Sequence, residues 1–189
     1  GKKKTLEAIG KEYKITRERV RQIETEALKQ VTKSEALNGI GPVFKAMADH
    51  IRFHGDVIAD NLLYQTLSSP SAIPHVVFLL GVGGDFVELA ENDEFHRRWA
   101  INKDRAAEAE KGMKLAMQAL KEKGSPVSQN ELYALINENI RSLRGESTPE
   151  NVIESYLASS KLVKKNPYGE YGLKEWPTIS PRGVKDKAY

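Results

Sequence analysis

The stretch Thr5-Leu-Glu-Ala-Ile-Gly-Lys-Glu-Tyr-Lys-Ile-Thr16-Arg-Glu-Arg-Val-Arg-Gln-Ile-Glu-Thr-Glu-Ala-Leu28 decides how the chain is read. Leu6, Ile9 and Tyr13 recur at the period of one helix face. Thr5 stands where an N-cap hydroxyl is wanted, and Glu7 puts negative charge in the first turn. Lys14-Ile15 make a tight turn. Thr16 then caps a second helix, Arg17 to Val31, whose apolar positions are Val20, Ile23, Ala27, Leu28 and Val31. Ala8 and Arg19 occupy the places where a capping box would set Glu, so both helix starts rest on the threonine alone. Arg17, Glu18, Arg21, Gln22 and Thr25 lie opposite the apolar stripe. Two short helices, a tight turn and one polar face describe a helix-turn-helix, whose second helix can lie in the major groove.

Charge supports that reading. The whole chain of 189 residues carries a formal charge of only +3, yet residues 1–34 hold ten Lys or Arg against five Glu. The positive field therefore sits at one end, as a polyanion partner requires. Arg17 could grip guanine O6 and N7, Glu18 accept from cytosine N4, and Gln22 read adenine, each good contact being worth about 1–3 kcal/mol of discrimination. Lys2, Lys3, Lys4, Lys11 and Lys14 suit phosphates and add sequence-blind, salt-dependent affinity.

The run Thr16-Arg17-Glu18-Arg19-Val20-Arg21-Gln22-Ile23-Glu24, followed by Ala27-Leu28, closely resembles region 4.2 of the primary sigma factors, the helix-turn-helix that reads the promoter −35 element. The resemblance implies that Arg17, Glu18 and Gln22 face bases. It implies that Arg19 and Arg21, beside the cap Thr16, face phosphates or a neighbouring regulator. A sigma factor carries further helices before this motif and ends soon after it. Here four residues precede Thr5 and a long chain follows Leu28.

That long chain reads as a joint and two similar segments. Residues 32–42, with Asn38-Gly39-Ile40-Gly41-Pro42, read as a linker. In 43–101 the order is a helix over Val43–Phe53, a second over Ile58–Leu67 and a third from Pro70 or Ser71 to Leu80. A turn over Gly81–Asp85 follows, then strands at Phe86–Leu89 and Phe95–Ile101 around an Asn92-Asp93 hairpin. Residues 103–177 repeat the order: helices over Lys103–Lys123, Gln129–Ile140 and Thr148-capped Glu150–Ser160, then strands over Leu162–Lys165 and Glu170–Trp176. Gly55 to Tyr64 aligns without gaps on Gly124 to Tyr133, with Gly, Asn, Leu and Tyr coinciding at a spacing of 69 residues. Trp99 and Trp176 close the two segments. Residues 178–189 read as a linker to a possible further module.

Three helices followed by a β-hairpin is the order of a winged helix. The second segment resembles the HARE-HTH winged helix of the RNA polymerase delta subunit, through Gly124-Ser-Pro-Val, Thr148-Pro149, Tyr168-Gly-Glu-Tyr171-Gly-Leu173 and Trp176. That resemblance implies a DNA or RNA polymerase partner. The expected fold class is mainly α with small β-hairpin wings. It comprises a helix-turn-helix (1–36) and two tandem winged-helix domains (43–101 and 103–177).

Other chemistries find little footing. With no cysteine, disulfides, thiolate metal sites and thiol catalysis are out, and a cytoplasmic location is expected. No apolar run approaches the ~20 residues that span a bilayer. Lys2–Lys4 lead into an amphipathic helix rather than a signal peptide. Gly81-Val82-Gly83-Gly84 lacks the spacing and the lysine of a phosphate loop. His50 and His54 share a helix face without an evident third metal ligand. No enzyme, metal, cofactor or small-molecule substrate is expected. The expected function is sequence-specific binding of promoter-like duplex DNA in transcription, with the winged helices as further DNA or polymerase contacts. The alternative is a protein-interaction module docking on RNA polymerase or a regulator, motivated by third helices (Ser71–Leu80, Glu150–Ser160) that contain no Lys or Arg.

Overall fold

A computed structural model describes residues 4–67 and 69–180. Lys2, Lys3, Ser68 and the segment from 181 onward lie outside the described residues, and with them two of the expected phosphate contacts and most of the expected C-terminal linker. The chain is mainly helical with small antiparallel sheets. Its elements are α1 (Leu6–Tyr13), α2 (Arg17–Thr32), a 3-10 helix (Glu35–Ile40), α3 (Gly41–Phe53), β1 (Val57–Ala59), α4 (Asp60–Leu67), α5 (Ile73–Val82), β2 (Val87–Leu89), β3 (Arg98–Ala100), α6 (Lys103–Lys123), α7 (Gln129–Arg144), α8 (Glu150–Ser159), β4 (Val163–Lys165) and β5 (Tyr171–Leu173).

Several boundaries differ from the sequence reading. The expected linker at 32–42 is ordered: Gly41 and Pro42 open α3, where proline's missing N–H costs nothing. Ile58 and Ala59 belong to a strand, not a helix, and α4 starts only at Asp60. Three consecutive buried residues carry no period, so such a run is ambiguous in sequence. Helix α5 starts at Ile73 rather than at Pro70 or Ser71, and it absorbs Gly81 and Val82 of the expected turn. Helix α7 runs one turn past Ile140, to a left-handed Gly145. It opens with a complete capping box, Ser128 and Glu131, and the Glu131 carboxylate is held down to about 2 by the Lys123 ammonium and the Ser128 N–H. At α8, Pro149 rather than Thr148 is the cap, without a side-chain bond.

The order of three helices followed by two strands occurs twice, and the first pass adds a short strand, β1, between its first two helices. In the first pass β3 lies between β1 and β2, both antiparallel, with Ile58 opposite Trp99. Only Arg98–Ala100 of the expected Phe95–Ile101 strand pairs with β2. Asn92 still organises the connecting loop, its Oδ1 accepting from the N–H groups of Glu94 and Phe95. In the second pass β4 pairs with β5, and a single bridge, Val127 to Tyr171, stands where β1 stood. Ile58 and Val127 are 69 residues apart, so Tyr171 is the counterpart of Trp99. Trp176 lies beyond the strand. Gly55 (φ +82°) and Gly124 (φ +71°) both take the left-handed turn that ends the opening helix.

Two apolar clusters fill the body. One joins Met47, Ile51, Ile58, Leu63, Val76, Leu80 and Trp99. The other centres on α6, α7 and α8, and it takes in Val57, Phe95 and Ala100 from the first segment. Helix α8 seals that junction. Asn151 Nδ2 donates to the Phe53 carbonyl (2.6 Å) and the buried Tyr156 hydroxyl to the Gly55 carbonyl (2.9 Å). Phe95 forms a β-bridge to Ser160, and the Arg98 guanidinium, 3% exposed, pairs with Glu110 on α6 (2.9 Å) and lies over the Phe95 ring. A buried charge needs such partners to be tolerated.

Two histidines near the end of α3 make stability depend on pH. The Thr66 hydroxyl donates to the Leu62 carbonyl, so His50 Nε2, 2.8 Å away, must carry the proton and donate to Thr66. Burial holds both His50 and His54 below the usual histidine range, and the neighbouring His50 lowers His54 further. Folding therefore favours the neutral rings. Below about pH 6.5 the unfolded chain binds the extra protons, so stability is present at neutral pH and falls with acidification. The urea midpoint should drop between pH 8 and pH 5.5, where carboxylates stay ionised, and drop less in His54→Gln. An equal drop in both proteins would remove His54 from the account.

Candidate nucleic-acid interface

Both helices of the N-terminal pair start as their threonines dictate. Thr5 Oγ1 accepts from Ala8 N and Thr16 Oγ1 from Arg19 N, each at 3.1 Å. Between them Lys14 adopts φ +56°, and Ile15 N donates back to the Gly10 carbonyl (2.9 Å). The turn presses on Gly10: a Cβ there would stand 2.7 Å from the Ile15 carbonyl oxygen, a backbone atom with little room to move. Gly10→Ala should therefore splay the pair, at about 1–3 kcal/mol for an overpacked site. Duplex affinity is expected to fall at least tenfold while the urea midpoint of the body holds. Unchanged affinity would show that the turn yields.

Helix α2 meets the body through α5 and the 3-10 helix. Val20 is its buried residue, and Leu28 and Val31 are half-buried. The apolar stripe is less covered than its period suggests. Ile9, Tyr13, Ile15, Val20 and Ile23 line an open apolar groove, with Tyr13 68% and Ile23 48% exposed.

The opposite face is open to solvent from Arg17 to Gln22, Val20 excepted. Of the sequence-identified residues, the structure brings Arg17, Glu18, Arg21 and Gln22 onto the first turns of one exposed helix. Glu18 and Arg21 form a two-pronged pair (2.6 and 2.9 Å), which holds the Glu18 carboxyl below its usual range and raises the Arg21 guanidinium. Arg19 Nη1 donates weakly to Gln22 Oε1 (3.4 Å). Arg17 makes no hydrogen bond or ion pair among the described residues. Lys4 pairs with Glu12 and Lys11 with Glu7, both on the surface, where such pairs exchange cheaply. Thr16 uses its oxygen as the cap and keeps its hydroxyl proton to donate.

The Glu18–Arg21 pair competes with the expected base contacts and leaves little trace in the sequence. Its only signal is the i, i+3 spacing. Among the described residues, no three His, Asp or Glu side chains gather as a metal site would need, and no helix is long and apolar enough to cross a membrane.

Residues 1–33 match the family described as "Sigma-70, region 4". The match covers the helix-turn-helix and stops one residue past the end of α2. It supports a DNA-binding helix-turn-helix involved in transcription for this part of the chain. No curated protein and no solved structure matches the chain.

Proposed function

We propose that the chain binds duplex DNA sequence-specifically in transcription, with the first turns of α2 in the major groove. Arg17, Glu18 and Gln22 face bases. Arg19, Arg21, Thr16, Lys4, Lys11 and Lys14, with Lys2 and Lys3, serve phosphates or a neighbouring regulator. The observation that carries this reading is the open polar face of α2 on a matched helix-turn-helix, with Arg17 and Gln22 both exposed on its first turns and Arg17 in no hydrogen bond or ion pair among the described residues. Such a face can enter a groove about 12 Å wide with only surface side chains, chiefly the Glu18–Arg21 pair, changing partners. Binding is non-enzymatic, needs no cofactor or metal, and takes place in the cytoplasm. Selection from a random duplex pool, followed by fluorescence anisotropy on the selected site, tests it. A common element resembling a −35 site is expected. A pool that stays random after selection would overturn sequence-specific binding.

The remainder is best read as two winged helices of the HARE-HTH type. The repeated element order and the matching left-handed Gly55 and Gly124 support it. Their shared core argues that they act as one body.

A second reading, docking on RNA polymerase or a regulator, is favoured by α5. That helix contains no Lys or Arg and exposes Val77 and Phe78. Retention of polymerase by the immobilised chain, lost in Phe78→Asp, would support it. Polymerase that passes through unretained would count against it.

A further inference from the structure

Charge is distributed in three blocks rather than two. Residues 35–160 hold twelve Lys or Arg against eighteen Asp or Glu, whereas residues 161–189 hold seven against three. An acidic middle thus separates two basic ends, of which the helix-turn-helix is one. Within the described residues, the second basic end includes the β4–β5 hairpin.

The third helices cannot do the work of a reading helix. On α8, every side chain is buried or half-buried except Glu150 and Glu154, so the only exposed groups are carboxylates that repel phosphate. The rest of α8 is committed to the junction, through Asn151, Ser155 and Tyr156 bonds to the Phe53, Val57 and Gly55 carbonyls. Helix α5 contains no Lys or Arg.

The hairpin is different. Lys164 and Lys165 are exposed and take part in no ion pair among the described residues, although Lys165 Nζ lies 5.2 Å from the Tyr171 ring centroid. At the apex Tyr168 is 83% exposed. The apex is held rigid by Asn166, itself 6% exposed. Its Oδ1 accepts from Tyr168 N (3.0 Å) and Glu170 N (2.9 Å), and its Nδ2 donates to the Glu170 carboxylate (3.0 Å). Glu170 is thus bonded to its own turn. Glu154, which lines the same hollow as the two lysines, accepts the Tyr133 hydroxyl (3.0 Å). The backbone of the turn that carries Tyr168 and follows the two lysines is thus ordered before it meets a ligand, so little backbone entropy remains to be lost on binding.

We propose that the β4–β5 hairpin is a second, sequence-blind contact to duplex DNA. Lys164 and Lys165 meet backbone phosphates, and Tyr168 lies against the adjoining sugars. The second segment then touches DNA through its hairpin alone, without a helix in the groove. This rests on the duplex-binding reading above.

The test is a salt titration of duplex affinity, from 50 to 200 mM KCl, on the full chain. The probes are the selected duplex, an unrelated duplex of equal length and a single strand of the same length. The hairpin variant is Lys164→Ala/Lys165→Ala, with Lys164→Gln/Lys165→Gln as a second form and circular dichroism checking the fold. With about 0.9 of log–log slope per phosphate, losing two contacts flattens the slope by about 1.8, and the fourfold salt increase then costs the variant roughly 12-fold less affinity than it costs the wild type. The loss at 50 mM KCl should be the same on both duplexes, and Tyr168→Ala should weaken both without changing the slope. In Arg17→Ala/Gln22→Ala, sequence preference should fall by about 100-fold or more while the hairpin's share of the slope persists. If the wild type binds both duplexes and the lysine variants keep its slope, the hairpin contact is overturned and the duplex-binding reading stands. If the wild type binds neither duplex, both fall. A hairpin effect confined to the single strand would overturn the duplex assignment.

Discussion

Replacing Arg17 and Gln22 together by alanine is expected to weaken binding to the selected duplex by about 100-fold or more, and to leave binding to an unrelated duplex within a few-fold. Each side chain can make a two-pronged contact to a base edge, worth about 1–3 kcal/mol of discrimination. Neither is tightly held first: Arg17 is unpaired among the described residues, and Gln22 gives up a weak 3.4 Å bond from Arg19 and a surface contact to Glu18. Glu18 differs, because freeing it for cytosine also frees Arg21. Glu18→Ala should therefore change which sequence is preferred more than it changes affinity. Both residues of the double variant are exposed, so its urea midpoint should equal that of the wild type. Anisotropy on the two duplexes measures the ratio. A double variant that keeps the wild-type ratio would remove these residues from base reading.

The largest effect on stability is expected from Gly55→Ala. A Cβ there would lie 2.4 Å from Val152 Cγ1 and 2.6 Å from the Tyr156 hydroxyl oxygen. Neither can retreat, because Tyr156 is 1% exposed and is held by Arg144 and by the Gly55 carbonyl. Overpacking costs about 1–3 kcal/mol, and a left-handed φ of +82° adds roughly 1–2 kcal/mol for any residue with a Cβ. The counterpart Gly124 has the same handedness (φ +71°) with nothing within 4 Å of a Cβ. Gly124→Ala should thus show the backbone strain alone. Urea unfolding of the two variants isolates the packing share. Equal losses would mean that α8 does not press on this turn as closely as the distances imply.

Much of the fold was legible from local chemistry. Thr5, Thr16 and Asn102 cap their helices through side-chain oxygens, and such caps act over three residues. The end of the long α6 is legible because Gly124 breaks the pattern there, and in the structure that glycine is the left-handed cap. Strand β1 was missed because its three residues are all buried and show no alternation. Pairing Trp99 with Trp176 followed residue type, whereas the register that equates Trp99 with Tyr171 is set by hydrogen bonds to residues 58 and 127. At the candidate interface, the residues of α2 were legible from their spacing, but the openness of the groove beside Tyr13 and Ile23 was not. Periodicity shows which face is apolar and not whether anything covers it.

The sequence by itself determined the helix-turn-helix, its polar face and the repeated order of elements, because caps, turns and helical period act between residues a few positions apart. Only the tertiary structure decided the fate of α8. Its partners lie 98 positions away in the chain, and no local pattern records which carbonyls Asn151 and Ser155 will find. By burying most of that helix and leaving the polar face of α2 and the outer side of the β4–β5 hairpin in solvent, packing selected which of several polar surfaces remain free to meet a partner.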